Sequence, residues 1–116
     1  MTFARKTRFA RPRNQYHALM RSLARSLVLE EKISTTESKA KALRPLVERL
    51  VTYAKKNTLA SRRLAKTKLG DAAAVKKLFD SIGPRYEKRA GGYTRVTKRT
   101  LRGSNDARKL AYISFV

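Results

Sequence analysis

The stretch GYTRVTKRTLRGSNDARKLAYISFV, residues 92–116, decides the fold class. Its first part, residues 92–99, alternates weakly between small or apolar and basic side chains. Its last part, residues 109–116, is rich in aromatic and branched residues, as a terminal strand is. Between them RGSND, residues 102–106, is turn chemistry. The two strands read as a hairpin. What such basic strands face is then the question, because only one side of a sheet is needed for a core.

Upstream the period is helical. Asn14 is placed to cap a helix over about residues 14–29, in which Tyr16, Leu19, Met20, Leu23 and Leu27 recur on one face. Arg21 and Arg25 lie one turn apart on a different face and are left free for a partner. KISTT, residues 32–36, reads as a brief strand. Thr36 or Ser34 then caps a long helix, with Ser34 and Glu37 at capping-box spacing. In that helix Ala40, Leu43, Val47, Leu50, Val51 and Ala54 form the cleanest apolar stripe in the chain. Pro45 falls inside it and is expected to kink or divide the helix, since proline removes a backbone donor. Residues 58–69 read as a third helix carrying Arg62, Arg63, Lys66 and Lys68. Asp71 caps a fourth, with Ala72, Val75, Leu78, Phe79 and Ile82 on one face. Gly83-Pro84 is expected to stop it, the glycine in a left-handed cap. The order is α-β-α-α-α-β-β, an α+β fold of two layers with the helices on one face of a small sheet.

The chain has 116 residues, enough for one domain with a modest core. We divide it into a basic N-terminal arm, residues 1–13, and a single domain, residues 14–116. Against 8 Asp and Glu stand 29 Lys and Arg, a formal charge of +21. Self-repulsion of that size is best tolerated beside a polyanion, with nucleic acid first among candidates and a charged membrane surface second. The arm carries Arg5, Lys6, Arg8, Arg11 and Arg13 interleaved with Phe3 and Phe9. It is expected to order on a phosphate backbone. A mitochondrial transit peptide is the other reading of that composition. No apolar run reaches the length of a membrane span, and no secretory signal is visible.

Reaction chemistry is missing from the sequence. Cysteine is absent and His17 is the only histidine. The carboxylates are scattered, and none makes a metal-binding spacing. Gly91-Gly92 lacks the surroundings of a phosphate-binding loop. Adjacent glycines before a strand do allow positive φ and a close approach of another backbone. The binding residues expected from the sequence are therefore the arm cations, Arg21, Arg25, Arg85, Arg89, Arg95, Lys98 and Arg102. Gly91 and Gly92 permit close approach, and Tyr93 is placed to stack on a base. No enzyme activity, cofactor, metal or small-molecule substrate is expected.

Three stretches carry a resemblance. GPRYEKRAGGYTRVTK followed by AYISFV, SLVLEEKISTTESKAKALRPLVERLVTYAKK, and VKKLFDSIGPRY between them resemble bacterial-type large-subunit ribosomal protein seventeen, in the right order and at the right separation. The likeness runs over nearly the whole chain from Arg11. It implies a mixed three-stranded sheet covered by helices. It also implies a structural, non-enzymatic role: binding ribosomal RNA of the large subunit near the peptide exit tunnel, contact with neighbouring ribosomal proteins, and support of subunit assembly and translation. The location implied is a cytoplasmic bacterial-type ribosome or an organellar one. The competing class is a basic DNA-architectural protein, which would share the charge and the arm but would not need the G-G-Y-T-R stretch.

Overall fold

A computed structural model of the chain describes residues 12–99 and 109–116. Helix α1 covers Arg13–Glu30. It starts one residue before Asn14, because Pro12 occupies the capping position and its carbonyl accepts the Tyr16 N–H at 2.9 Å. Asn14 only accepts from the Gln15 amide, so the cap expected there is not made. Met20, Ala24, Leu27 and Val28 are buried, and Tyr16, Leu19 and Leu23 pack against the core from its edge. The helix ends at Glu31, whose left-handed backbone (φ 66°) turns the chain into β1, Lys32–Thr36.

Thr36, not Ser34, caps α2, Glu37–Lys56: its hydroxyl accepts from Lys39 N at 3.3 Å. The whole predicted stripe from Ala40 to Ala54 is buried. The helix is not divided at Pro45. Pro45 and Lys41, whose carbonyl loses its donor there, are both exposed, so water can satisfy the orphaned group. α3, Leu59–Leu69, opens with a reciprocal Thr58–Ser61 capping box and closes on Gly70 at φ 68°.

α4, Ala72–Lys77, does not stop at Gly83. It passes through a π-helical turn, Leu78–Ile82, into the short α5, Gly83–Arg85, where Pro84 fits the first turn. Gly83 is buried and right-handed (φ −55°), so the left-handed cap expected there is corrected. Its glycine is required by packing instead. A Cβ there would meet the Ala54 Cβ at 3.0 Å and the Ala54 carbonyl oxygen at 3.1 Å. The two helices touch at the backbone.

β2, Thr94–Lys98, and β3, Leu110–Phe115, complete a sheet in the order β1-β3-β2. Both pairings are antiparallel, so the mixed sheet implied by the resemblance is replaced by a wholly antiparallel one. The C-terminal strand is central and joins the two halves of the chain. α2 packs across all three strands. The core between the layers is built on Leu27, Leu43, Leu50, Leu78, Ile82 and Ile113, all with no exposed surface. Truncating any one of these leucines costs about 2–5 kcal/mol. The residues expected to bind in the arm, Arg5, Lys6, Arg8 and Arg11, and Arg102 with its turn, lie outside the described residues.

Candidate nucleic-acid interface

The G-G-Y-T-R stretch is held from behind by one carboxylate. Glu48 on α2 accepts the Tyr93 N–H at 3.2 Å, the Thr94 N–H at 2.9 Å and the Thr94 hydroxyl at 2.8 Å. The Thr94 amide sits on the open edge of β2, where no strand would satisfy it, and Tyr93 lies just before that strand. Lys55, two turns further along α2, reaches the Tyr93 hydroxyl at 2.8 Å and also the Arg89 carbonyl. The chain can turn into this clamp because Gly91 and Gly92 have φ of 156° and 64°. A Cβ on Gly91 would meet nothing within 4 Å, so the backbone there lies open to a partner. Arg89 is exposed and donates from Nε to the Gly91 carbonyl at 3.1 Å, which lays its guanidinium along the turn.

The register then sorts the hairpin residues by face. Ile33, Ile113 and Val96 align across the three strands and face the helices. The next row, Lys32, Ser114 and Arg95, faces the other way, and so does Ser34, Tyr112 and Thr97. Arg99 follows β2 on the outer side. Its guanidinium donates to Ser34 Oγ at 3.0 Å and lies 5.2 Å from the Tyr112 ring centroid. Lys32 Nζ is 4.4 Å from the same centroid. No carboxylate stands in either outward row. Arg95 is exposed and has no ion pair among the described residues. This basic strand therefore divides its duties: Val96 goes in, and Arg95 and Arg99 go out.

Other expected residues fall elsewhere. Lys98 lies on the helix-facing row at the sheet rim, 74% exposed, and pairs with Glu37 at 3.6 Å. Arg85 pairs with Glu31, which Lys77 also approaches at 3.4 Å. The Arg85 hydrogen bond holds the Glu31 carboxyl below its ordinary range against the opposing effect of desolvation, with help from the charge of Arg85 and from Lys77. Lys41, hydrogen-bonded to Glu37, does the same there. Arg85 and Lys98 thus have part of their charge answered within the fold. Arg21 is exposed, its stem alongside Gly70. Arg25 is half-buried, and its Nε is buried without a partner among the described residues. Arg13 is exposed in the first turn of α1.

Tyr93 is a correction. It is only 4% exposed, its ring packs 5.4 Å from Tyr86, and its hydroxyl is engaged by Lys55. A base cannot reach that ring. The aromatic residue on the open face is Tyr112. Sequence reading missed it together with Lys32 and Glu48. Alternation around Tyr112 is visible in the sequence, but the face it takes depends on pairing with β1.

A groove between α1 and α2 is lined by Tyr16, His17, Met20, Leu46, Arg49 and Lys68. Among the described residues that line it there is no carboxylate. Among the described residues no three His, Cys, Asp or Glu side chains gather as a metal site, and no helix is long and apolar enough to cross a membrane.

Fold and surface together define a class: a small, strongly basic α+β protein whose helices cover one sheet face and leave the other cationic. Comparison with known proteins makes that class specific. The family profile described as Ribosomal protein L17 matches residues 19–116. A "Large ribosomal subunit protein bL17" of Hydrogenobaculum sp. (strain Y04AAS1) is 55% identical over 112 residues, covering 97% of this chain and 95% of its own. Proteins of the same description from Sphingopyxis alaskensis and Natranaerobius thermophilus are 52% and 48% identical, covering 85% and 84% of this chain and 70% and 86% of their own. The chain belongs to the ribosomal protein L17 family. It is a structural ribosomal protein and not an enzyme.

Proposed function

We propose that this protein is a constituent of the large ribosomal subunit that binds its ribosomal RNA near the peptide exit tunnel, contacts neighbouring ribosomal proteins, and supports subunit assembly and translation. The observation that carries the reading is identity of about half with proteins named for the large subunit, over nearly the full chain. The charge of +21 supports it, because the folded body cannot neutralise it internally. Of the residues involved, Arg95, Arg99, Lys32 and Arg89 hold phosphates, and the Gly91-Gly92 backbone admits a sugar-phosphate chain closely. Arginine suits this work because its planar fork meets two phosphate oxygens at once. Arg21, Arg25 and the arm extend the contact along α1. The relatives are bacterial, which favours a cytoplasmic ribosome over an organellar one.

Gradient sedimentation tests this. The protein should remain with the large subunit through a high-salt wash, and purified protein should bind large-subunit ribosomal RNA in preference to duplex DNA. Release by the wash together with equal affinity for duplex DNA would favour a DNA-architectural role instead.

A further inference from the structure

We infer that the outer face of the sheet takes an unpaired RNA base on the ring of Tyr112, with Lys32, Arg95 and Arg99 gripping the flanking phosphates. This deepens the proposed function and rests on it. Tyr112 is on the central strand, so it stands in the middle of the face. Its cross-strand neighbours are Ser34 and Thr97, both short hydroxyls. Neither is long enough to cover the ring, which is half-buried, and they are donors and acceptors of the size that meets a ribose 2′-hydroxyl. The Tyr112 hydroxyl has no partner among the described residues, unlike those of Tyr86 and Tyr93. No described helix covers this face.

The ring's present company is cationic. Arg99 crosses the sheet from the β2 side and is fixed by Ser34. Lys32 is exposed, rests near the ring and has no carboxylate partner among the described residues. An exposed cation–ring contact is weaker than stacking of a base on an aromatic side chain. Lys32 can therefore leave the ring to the base and, on its flexible stem, take a phosphate beside it. A plain cross-strand aromatic would be expected to bury itself against long or branched neighbours. This one has two small hydroxylated neighbours, only one of them branched, and is ringed by positive charge. Regular duplex RNA offers no such base, so the occupant is a loop, bulge or single strand.

The test uses the full chain, large-subunit ribosomal RNA, and a single strand of about ten nucleotides compared with the same sequence as a blunt duplex. Tyr112→Leu should weaken binding to the ribosomal RNA and the single strand about tenfold, by the loss of one stacked base, while leaving the salt dependence unchanged. Tyr112→Phe should bind as the wild type does. In the wild type the Tyr112 ring proton resonances should move upfield on adding the single strand and stay in place with the duplex; this measurement does not depend on a variant folding. If Tyr112→Leu binds normally while Arg95→Ala does not, the face is purely electrostatic and the stacking inference is wrong, though the ribosomal reading stands. Ring resonances that do not move on adding the single strand would equally overturn the stacking. If the wild type does not bind large-subunit ribosomal RNA at all, both readings fall.

Discussion

Replacing Glu48 by alanine should be among the most damaging single changes outside the apolar core. The side chain is half-buried, and its two oxygens take three hydrogen bonds from Tyr93 and Thr94, of which Thr94 is 3% exposed. Hydrogen bonds to a charged group contribute about 1.5–3 kcal/mol each, and a buried donor left unpaired costs about 1–3 kcal/mol. The three bonds share one carboxylate, and water can enter beside the open β2 edge, so they do not simply add. About 3–4 kcal/mol is the expected total for Glu48→Ala, within the range known for breaking a buried polar network. For a chain of this length each kcal/mol shifts the melting temperature by about 4 °C, so a fall of about 12–16 °C is expected. Urea unfolding should show a lower midpoint at unchanged slope. Thr94→Val removes one of the three bonds and should cost about 1–2 kcal/mol alone but much less when Glu48 is already alanine. Amide exchange at Tyr93 and Thr94 should speed up in Glu48→Ala before the β3 amides respond. If Glu48→Ala costs less than about 1 kcal/mol, or if the two substitutions are additive in the double-mutant cycle, the carboxylate is not the clamp described.

Four further outcomes are expected. Arg95→Ala should leave stability within about 0.5 kcal/mol, since the residue is exposed and outside every ion pair among the described residues. It should weaken ribosomal RNA binding and lower the slope of log affinity against log salt by about 0.7–0.9; an unchanged slope would mean that Arg95 touches no phosphate. Gly92→Val forces a branched residue to φ near 64° and should cost about 1–3 kcal/mol in urea unfolding, with no loss meaning that the turn has another accessible shape. Gly83→Ala should destabilise by about 1–2 kcal/mol although alanine is the better helix former, because the Ala54 backbone at 3.1 Å cannot give way; a gain in stability would refute the contact. Glu31, whose carboxyl is held below its ordinary value near 4.5 chiefly by Arg85, contributes stability that is present above that value and lost as pH falls through the lowered one. Its solvent exposure keeps the effect small. Thermal unfolding against pH should show the acid-side decline, and Glu31→Gln should remove part of it.

The periodic elements were legible because burial in a helix is written locally, every third or fourth residue. The α2 stripe from Ala40 to Ala54 needed no knowledge of the sheet, and neither did the helix–strand order. Helix caps were harder to place where two candidates stood close together. Pro12 takes the position expected of Asn14, and Thr36 the one open to Ser34, because the winner is set by where the preceding backbone comes from. Gly83 departs from expectation for a different reason: Gly-Pro is a stop signal in isolation, but here the glycine is selected by Ala54, distant in sequence and touching in space.

Composition and local pattern were enough to establish a small α+β domain, a charge that its own acids cannot answer, and a chemistry of binding. Which side chains meet the partner was settled only by the assembled fold. Tyr93 and Tyr112 sit in similar alternating stretches, and a strand's side chains change face with every residue. Only the pairing of β3 with β1 and β2, strands brought together across most of the chain, puts Tyr112 outside; Tyr93 has the parity of the outward Arg95 and Thr97 but lies just before β2, where its ring packs on Tyr86 and its hydroxyl meets Lys55. Glu48 likewise is one carboxylate among eight until α2 lies across the sheet and aims it at the amides of Tyr93 and Thr94. Helical periodicity is a property of neighbours along the chain, whereas the face of a sheet is a property of strands that must first find each other.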